Sequence, residues 1–209
     1  MMKYLFLDKV DLDNDELGRR AVHLSGLIFP TSYLITGNQV LTICFILVSL
    51  FIATLFEYLR LRTDFDNYVY RRLTREYEEY KLAGYYLYIV GLLFSWVFFE
   101  SEIALVSSFV LAISDPIGGL LSDESGDKTK LALAGTFTSS LLICILILGY
   151  TEISNILLVI LGLLCGVTTS ISDSYIFKLR GEVVDDNLLI PILTGFVVTV
   201  GKYAYLILI

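Results

Sequence analysis

Long apolar runs that are almost free of charge constrain this chain more than any other feature. Hydrophobic residues make up 56% of the sequence, and the mean hydropathy is +0.74. A helix needs about 20 residues to cross about 30 Å of hydrocarbon. The apolar runs cover residues 21–36, 38–59, 83–99, 102–121, 132–150, 153–171 and 188–208. We therefore predict an all-α integral membrane protein, with a bundle of about seven transmembrane helices in a single domain over residues 1–209.

Two of the apolar runs contain a proline that should disturb the helix. Pro30 lies in the first run, which is short, and predicts a tilt or kink there. Asp115-Pro116 lies in the fourth run. The residue before a proline is disfavoured in the α conformation, so we predict a broken helix near Asp115-Pro116.

The lysines and arginines predict the orientation of the bundle. All except Lys202 lie in the N-terminal segment or in the loops after the second, fourth and sixth runs. The positive-inside rule makes that side cytoplasmic. Residues 1–20 are then a cytoplasmic segment, and residues 60–82 form either an amphipathic linker on the membrane surface or an ordinary solvated helix. We expect Lys202 to snorkel outward from the last run, and the alternative is an inward pairing with an acid of a neighbouring helix.

The overall charge and the cysteines narrow the possible functions. The net charge of −7 argues against nucleic-acid binding. Cys44, Cys144 and Cys165 all lie within apolar runs and lack metal-ligand spacing. The sequence carries no signal for a particular oligomeric state.

The dense polar clusters all fall on the predicted cytoplasmic side. Ionisable groups at membrane depth are costly, and Asp115 interrupts a long uncharged run. A purely structural alternative is that Asp115 caps a broken helix. Carboxylate and amide oxygens are ligands that Mg²⁺ accepts together with phosphate oxygens. The candidate metal ligands are Asp115, Asp185, Asp186 and the amide oxygen of Asn187.

Cations and glycines in the same clusters suit a bound nucleotide. Arg19, Arg20 and Lys128 are candidates to neutralise phosphates. Gly118 and Gly119 would let the backbone approach a phosphate closely. The sequence contains neither a Walker A motif nor a kinase glycine-rich loop, so a nucleotide site here is of another type.

His23 is the only histidine in the chain, and it lies one helical turn after Arg19 and Arg20. One interpretation is a polar residue at a helix end. The other is a base near a lipid hydroxyl, or a hydrogen-bond donor to phosphate.

Five short motifs, in this order, resemble those of the dolichol kinase, phytol kinase and CTP-dependent diacylglycerol kinase superfamily. The motifs are Glu16-x-x-Arg19-Arg20-x-x-His23, Arg75-x-x-Glu78 with the glycine and tyrosine stretch of residues 84–91, Ser114-Asp115, Leu133-Ala134-Gly135-Thr136, and Asp185-Asp186-Asn187-x-x-Ile190-Pro191. The resemblance covers nearly the whole chain. Each motif alone is weak, whereas five in order are specific.

The resemblance implies CTP as phosphoryl donor, Mg²⁺ or another divalent cation, and a membrane lipid alcohol as acceptor. That alcohol is a polyprenol such as dolichol or a diacylglycerol-type lipid, and the Leu-Ala-Gly-Thr element leans towards the latter. The resemblance also implies that one site contains Arg19, His23, Asp115, Lys128, Gly135, Thr136, Asp185, Asp186 and Asn187. Asp115, His23 and Lys128 are the expected catalytic residues, with Asp115 favoured over His23 as the acceptor of the hydroxyl proton.

The chain departs from the family pattern at a few positions. Leu131-Ala132 stand where relatives have Lys-Thr or Lys-Ser, so Lys130 is an alternative to Lys128. Ser122 replaces an expected glycine. The acid expected upstream of the closing motif is best matched by Asp173, at a longer spacing, and Glu182 is a rival.

Two other functions are compatible with the same residues. A cytidylyltransferase that makes CDP-lipid would also need CTP, magnesium and acidic residues. A small membrane transporter or lipid-binding protein could line a pathway with charges, although it would need polar residues across the full membrane depth.

Overall fold

A computed structural model describes residues 18, 20–62, 81–122, 129–175, 177–179 and 182–208. Most of the predicted N-terminal segment, residues 63–80 of the predicted linker, and residues 123–128 lie outside the described residues. The described part is helical apart from two strands of two residues each.

The elements follow one another with short connections. In order they are α1 (Ile28–Thr36), α2 (Gln39–Arg62), α3 (Gly84–Phe98), α4 (Ser101–Phe109), a π-helical turn (Val110–Ser114), α5 (Asp115–Leu120), α6 (Lys130–Leu148), α7 (Asn155–Ser174), β1 (Lys178–Leu179), β2 (Glu182–Val183) and α8 (Asp186–Leu208). A further helical stretch, residues 20–25, precedes α1. The two strands pair antiparallel between α7 and α8.

Among the described residues, five helical stretches are long and apolar enough to cross a membrane. They are α2, the continuous stretch Ser101–Leu120, α6, α7 and α8. Two predicted runs form shorter helices, the 15-residue α3 and the nine-residue α1. The predicted all-α membrane architecture is therefore confirmed.

The ends of the helices follow local sequence signals. Gly37 ends α1 in the left-handed conformation, with φ 62°, and its N–H donates to the Tyr33 carbonyl at 2.7 Å. A glycine adopts this conformation without steric cost, which allows the tight turn into α2. Thr129 and Ser154 cap α6 and α7, because their hydroxyl oxygens accept from the N–H groups of Ala132 and Leu157.

The stretch Ser101–Leu120 is the centre of the bundle. In its most apolar window 67% of residues are buried, against 17% for α2. Trp96 of α3 is fully buried and donates its indole N–H to Ser108 Oγ at 2.9 Å. The many exposed apolar side chains of α2 suit a lipid-facing helix rather than a water-facing one.

The interruption predicted at Asp115-Pro116 takes the form of the π-helical turn. Ser114 and Asp115 keep right-handed helical dihedrals, with φ −72° and −64°. A proline has no N–H and crowds the carbonyl four residues earlier. A π turn, whose carbonyls pair with residue i+5, removes that conflict and lets the chain continue in the same direction.

A buried carboxylate joins α2 to the start of α3. Glu57 is 3% exposed, and it accepts from Arg60 Nε at 3.1 Å, from the Ala83 N–H at 2.9 Å and from the Tyr85 hydroxyl. A buried charge is tolerated when it is paired and hydrogen-bonded in this way. The C-terminal part of α2 and the start of α3 are therefore held side by side.

Lys202 of α8 forms an ion pair at the opposite end of the bundle. Its ammonium group pairs with the Glu100 carboxylate, and the Tyr203 hydroxyl donates to the same carboxylate. This acid belongs to the loop between α3 and α4, so the ion pair links α8 to that loop. The bond from Lys202 lowers the pKa of Glu100, and the bond from Tyr203 adds to the effect.

We expect Glu100→Gln to lower the melting temperature in detergent by about 1–4 °C at neutral pH, because partly exposed ion pairs contribute little. A carboxyl whose pKa is lowered on folding stabilises the fold above its usual pKa of about 4.3, and this contribution is lost as pH falls through the lowered pKa. The difference between variant and wild type should therefore shrink in acid. Glu102→Gln, in the first turn of α4, is the matched control. Equal melting temperatures at neutral pH would contradict a role for the pair.

Candidate functional site

Three carboxylates from three distant elements meet at one end of the bundle. Asp115 begins α5, Asp173 lies at the end of α7, and Asp186 begins α8. Each offers an oxygen within 4.8 Å of the oxygens of the other two. Asp173 is buried, and the other two are partly exposed. We call these three residues the carboxylate cluster.

The dimensions of the carboxylate cluster suit a divalent cation. Opposite ligands of Mg²⁺ lie about 4 Å apart, and those of Ca²⁺ somewhat farther, because metal–oxygen distances are about 2.0–2.6 Å. A small inward rotation of side chains already within 4.8 Å would complete such a site.

The amide of Asn187 gives a second indication of a cation. Asn187 is 5% exposed, and its amide oxygen has no hydrogen-bond partner among the described residues. A buried, unpaired oxygen beside acids is what a cation or its water would satisfy.

Asp185 has a different environment from its neighbour Asp186. Asp185 Oδ1 accepts from the Asn187 backbone N–H at 3.0 Å and from Asn187 Nδ2 at 2.8 Å. Asp186 Oδ1 shares the same N–H at 2.9 Å. Asp185 thus orients the Asn187 amide, whereas Asp173 stands in the cluster where the sequence suggested Asp185.

Asp173 is held by close packing between α5, α6 and α7. Thr136 Oγ1 lies 3.1 Å from Asp173 Oδ2. A methyl group added at Gly118 would lie 2.4 Å from Thr136 Oγ1 and 2.5 Å from Asp173 Oδ2. Gly118 therefore makes room for the Asp173 carboxylate, and the close approach to a phosphate that the sequence suggested stays a prediction.

The helical stretch 20–25 brings two polar residues to the carboxylate cluster. His23 Nδ1 lies 3.1 Å from Asp115 Oδ2, and both side chains are mostly buried. Arg20 Nη2 donates to the Gly119 carbonyl at 3.0 Å. The residues of the early motif and of the Asp115 motif, nearly one hundred positions apart, are thus in direct contact.

The other candidate residues differ in their relation to the site. Lys130 is the exposed first residue of α6. Gly135 packs on α5, where an added methyl would lie 2.4 Å from Leu121 Cδ1. Five candidates lie outside the described residues: Glu16, Arg19, Arg75, Glu78 and Lys128.

Close contact between α3 and α8 fixes the position of Asp186 and Asn187. A methyl group at Gly91 would lie 2.7 Å from the Asn187 carbonyl oxygen and 2.8 Å from Pro191 Cγ. Pro191 has no N–H, so the Asn187 carbonyl cannot form its usual intrahelical bond. Only a glycine at position 91 lets this first turn of α8 approach so closely.

These features define a multi-pass helical membrane protein with a carboxylate site at one end of its bundle. No family model matches the chain, and no solved structure matches it significantly. It is similar to CTP-dependent diacylglycerol kinase 1 of Saccharomyces cerevisiae, with 31% identity over 215 residues. The match covers 86% of this chain and 71% of the yeast protein. The chain therefore belongs to the family of CTP-dependent lipid kinases, which confirms the resemblance at that level.

We expect Asp173→Asn to weaken Mn²⁺ binding at least tenfold, because it removes one anionic ligand of the carboxylate cluster. Asp185→Asn should weaken it less, since Asp185 acts on Asn187. Mn²⁺ titration followed by electron paramagnetic resonance in detergent measures both affinities. The assignment of Asp173 would be contradicted if Asp185→Asn were the more damaging change.

We expect Gly118→Ala to displace the Asp173 carboxylate and so to reduce Mn²⁺ affinity in the same titration. Gly201→Ala is the matched control, because its added methyl would meet only the terminal methyl groups of Leu164 and Leu161, away from the carboxylate cluster. Similar affinities for the two variants would show that Gly118 has no part in the site.

Proposed function

We propose that the protein transfers the γ-phosphoryl group of CTP to the hydroxyl of a membrane lipid, with a diacylglycerol-type lipid as the first candidate. The observation that supports this most is the convergence of Asp115, Asp173 and Asp186 at one end of an apolar bundle. Such a site can bind a metal–nucleotide complex while the lipid chains stay among the helices. The yeast relative, by its name, is a CTP-dependent diacylglycerol kinase.

The active site is proposed to face the cytoplasm. The cluster lies at the same end as Arg20, Arg60, Arg62, Lys130 and Lys178. The positive-inside rule assigns a cation-rich end to the cytoplasm, where CTP is available. A lipid hydroxyl at the inner leaflet could reach the cluster without crossing the hydrocarbon.

Asp115, Asp173 and Asp186 would hold a divalent cation, with the Asn187 amide oxygen beside them. A bound cation would offset phosphate charge and orient the triphosphate. Catalysis of phosphoryl transfer is mostly positioning and electrostatic stabilisation, so precise placement of these side chains matters more than covalent chemistry.

Asp115 is proposed to accept the hydroxyl proton. The lipid oxygen forms a bond to the γ-phosphorus, the bond from that phosphorus to the β–γ bridging oxygen breaks, and CDP leaves with that electron pair. The proton passes to the Asp115 carboxylate. His23 Nδ1, 3.1 Å from Asp115 Oδ2, orients that carboxylate. Arg20 donates to the Gly119 carbonyl on the same side and favours the anionic nucleotide.

The direct test uses purified protein in lipid–detergent micelles with CTP, ATP or GTP. Diacylglycerol, dolichol and phytol are offered in turn, and the products are analysed by mass spectrometry. The proposal predicts phosphatidic acid and CDP from CTP and diacylglycerol. Dolichyl phosphate alone would move the acceptor to the polyprenols. CDP-lipid with pyrophosphate would instead indicate a cytidylyltransferase, and no nucleotide turnover would refute the kinase proposal.

We expect Asp115→Asn to lower kcat by at least about 100-fold, because general-base catalysis contributes roughly 10²–10⁴-fold. The KM for CTP should rise as well if Asp115 also binds the cation. Glu102→Gln, at the other end of the same helical stretch, is the control and should retain activity. Near-wild-type kcat in Asp115→Asn would exclude Asp115 as the proton acceptor.

A further inference from the structure

Tyr88 of α3 contacts His23 in two ways. Its hydroxyl donates to the His23 carbonyl at 3.2 Å. Its ring meets the imidazole edge-on, with centroids 5.2 Å apart and an interplanar angle of 75°. Tyr88 is 4% exposed, so both contacts are made away from lipid and water. In the sequence Tyr88 belongs to the glycine and tyrosine stretch of residues 84–91 that resembles a family motif, but the stretch alone gives this tyrosine no particular role.

We infer that Tyr88 is a positioning residue, which holds the His23 imidazole against Asp115. This inference rests on the proposed function. His23 lies between the two residues: its carbonyl and ring edge meet Tyr88, and its Nδ1 meets Asp115 Oδ2. Tyr88 thus acts on the carboxylate through His23.

The fold does not need the Tyr88 hydroxyl to satisfy the His23 carbonyl. That carbonyl also accepts from the Gly26 N–H at 3.0 Å. Removing the hydroxyl therefore leaves no orphaned backbone acceptor, and the cost in stability should be small. The hydroxyl adds a hydrogen bond that links α3 to the helical stretch 20–25.

Gly26 shows how closely this segment is fitted to Tyr88. A methyl group at Gly26 would lie 2.0 Å from the Tyr88 hydroxyl oxygen and within 2.5 Å of two ring carbons. Only a glycine lets the turn after residues 20–25 pass over the ring. The close approach involves the part of the ring that carries the hydroxyl, so the fit is specific to this tyrosine.

Tyr88 lies on the face of α3 that also contacts α8. Gly91 lies three residues later, on the same face of the helix, and receives the first turn of α8. One face of α3 therefore aligns the His23 side of the site with the Asp186 and Asn187 side. The helix sets the spacing between two groups that the reaction must bring together.

The first experiment measures amide hydrogen exchange of residues 20–25 in the purified protein. Tyr88→Phe keeps the ring and removes only the hydroxyl. We expect exchange in this stretch to rise roughly three- to tenfold, because one hydrogen bond that holds the segment is lost. Tyr205→Phe is the matched control, since it removes a hydroxyl bonded to Ser154 at the opposite end of the bundle. Unchanged exchange in Tyr88→Phe would overturn the inference.

The second experiment asks whether Tyr88 acts through the imidazole. Tyr88→Phe should lower kcat for lipid phosphorylation about three- to tenfold, with the KM for CTP changed less than about twofold. In a His23→Ala background the same substitution should have almost no further effect, because the group it positions is gone. Equal fold-losses in the two backgrounds would mean that Tyr88 has only a structural role, and the inference would be wrong.

The two experiments separate this inference from the proposed function. If wild-type protein forms no lipid phosphate, the proposed function fails, and hydrogen exchange still decides whether Tyr88 holds the His23 segment. If wild-type protein is active and neither exchange nor the double-mutant cycle responds to Tyr88→Phe, only the positioning role fails.

Discussion

Repulsion between three carboxylates is the constraint around which this structure is built. Two unit charges 4.8 Å apart repel by roughly 3–4 kcal/mol at an effective dielectric constant of about 20. Asp115, Asp173 and Asp186 belong to three different elements, so the connectivity of the chain does not force their carboxylates together. That the fold brings them together means that other interactions oppose the repulsion. A bound cation would relieve it and convert the same proximity into binding energy.

The packing around the cluster provides the opposing interactions. Gly118 allows α5 to approach Asp173 and Thr136, and Gly91 allows the first turn of α8 to approach α3. The π-helical turn delivers Asp115 at the end of a buried helix without ending that helix. The two glycines let backbone and side-chain atoms approach more closely than a residue with a Cβ atom would permit. The positions of the side chains in the site therefore depend on contacts between helices. Each helix contributes one or two of these side chains.

The fold was largely predictable from the sequence because membrane helices leave a strong signal. A run such as 188–208 must satisfy its backbone within the segment, and a helix is the simplest way to do so. The effect of Pro116 was harder to foresee. A proline predicts an irregularity in the helix. Whether the helix breaks or forms a π turn depends on the packing around the central helix, which the sequence does not show.

The site was predictable in part. Asp115 and Asp186 stand out as acids in or beside apolar runs, and the early motif pointed to His23. Asp185 and Asp186 look equivalent in sequence, and both accept from the Asn187 N–H, but among the described residues it is Asp186 that joins Asp115 and Asp173 in the cluster. The resemblance offered Asp173 only as an acid upstream of the closing motif. Its contact with Thr136 and that of Tyr88 with His23 join residues 37 and 65 positions apart, which periodicity does not reveal.

The family relationship and the geometry support the same chemistry from independent directions. The yeast relative uses CTP by its name, and the cluster has the donor atoms that a metal–triphosphate requires. The alternative is that the carboxylate cluster only holds the helices together. In that case the cluster would keep its geometry with or without a cation, whereas a metal site binds the cation at a defined point between its ligands.

The most direct test is to locate Mn²⁺ by anomalous scattering in crystals of the protein grown with the ion and CTP. The account predicts a peak about 2 Å from a carboxylate oxygen of each of Asp115, Asp173 and Asp186. A peak coordinated elsewhere, or none at a concentration that supports phosphoryl transfer, would contradict it.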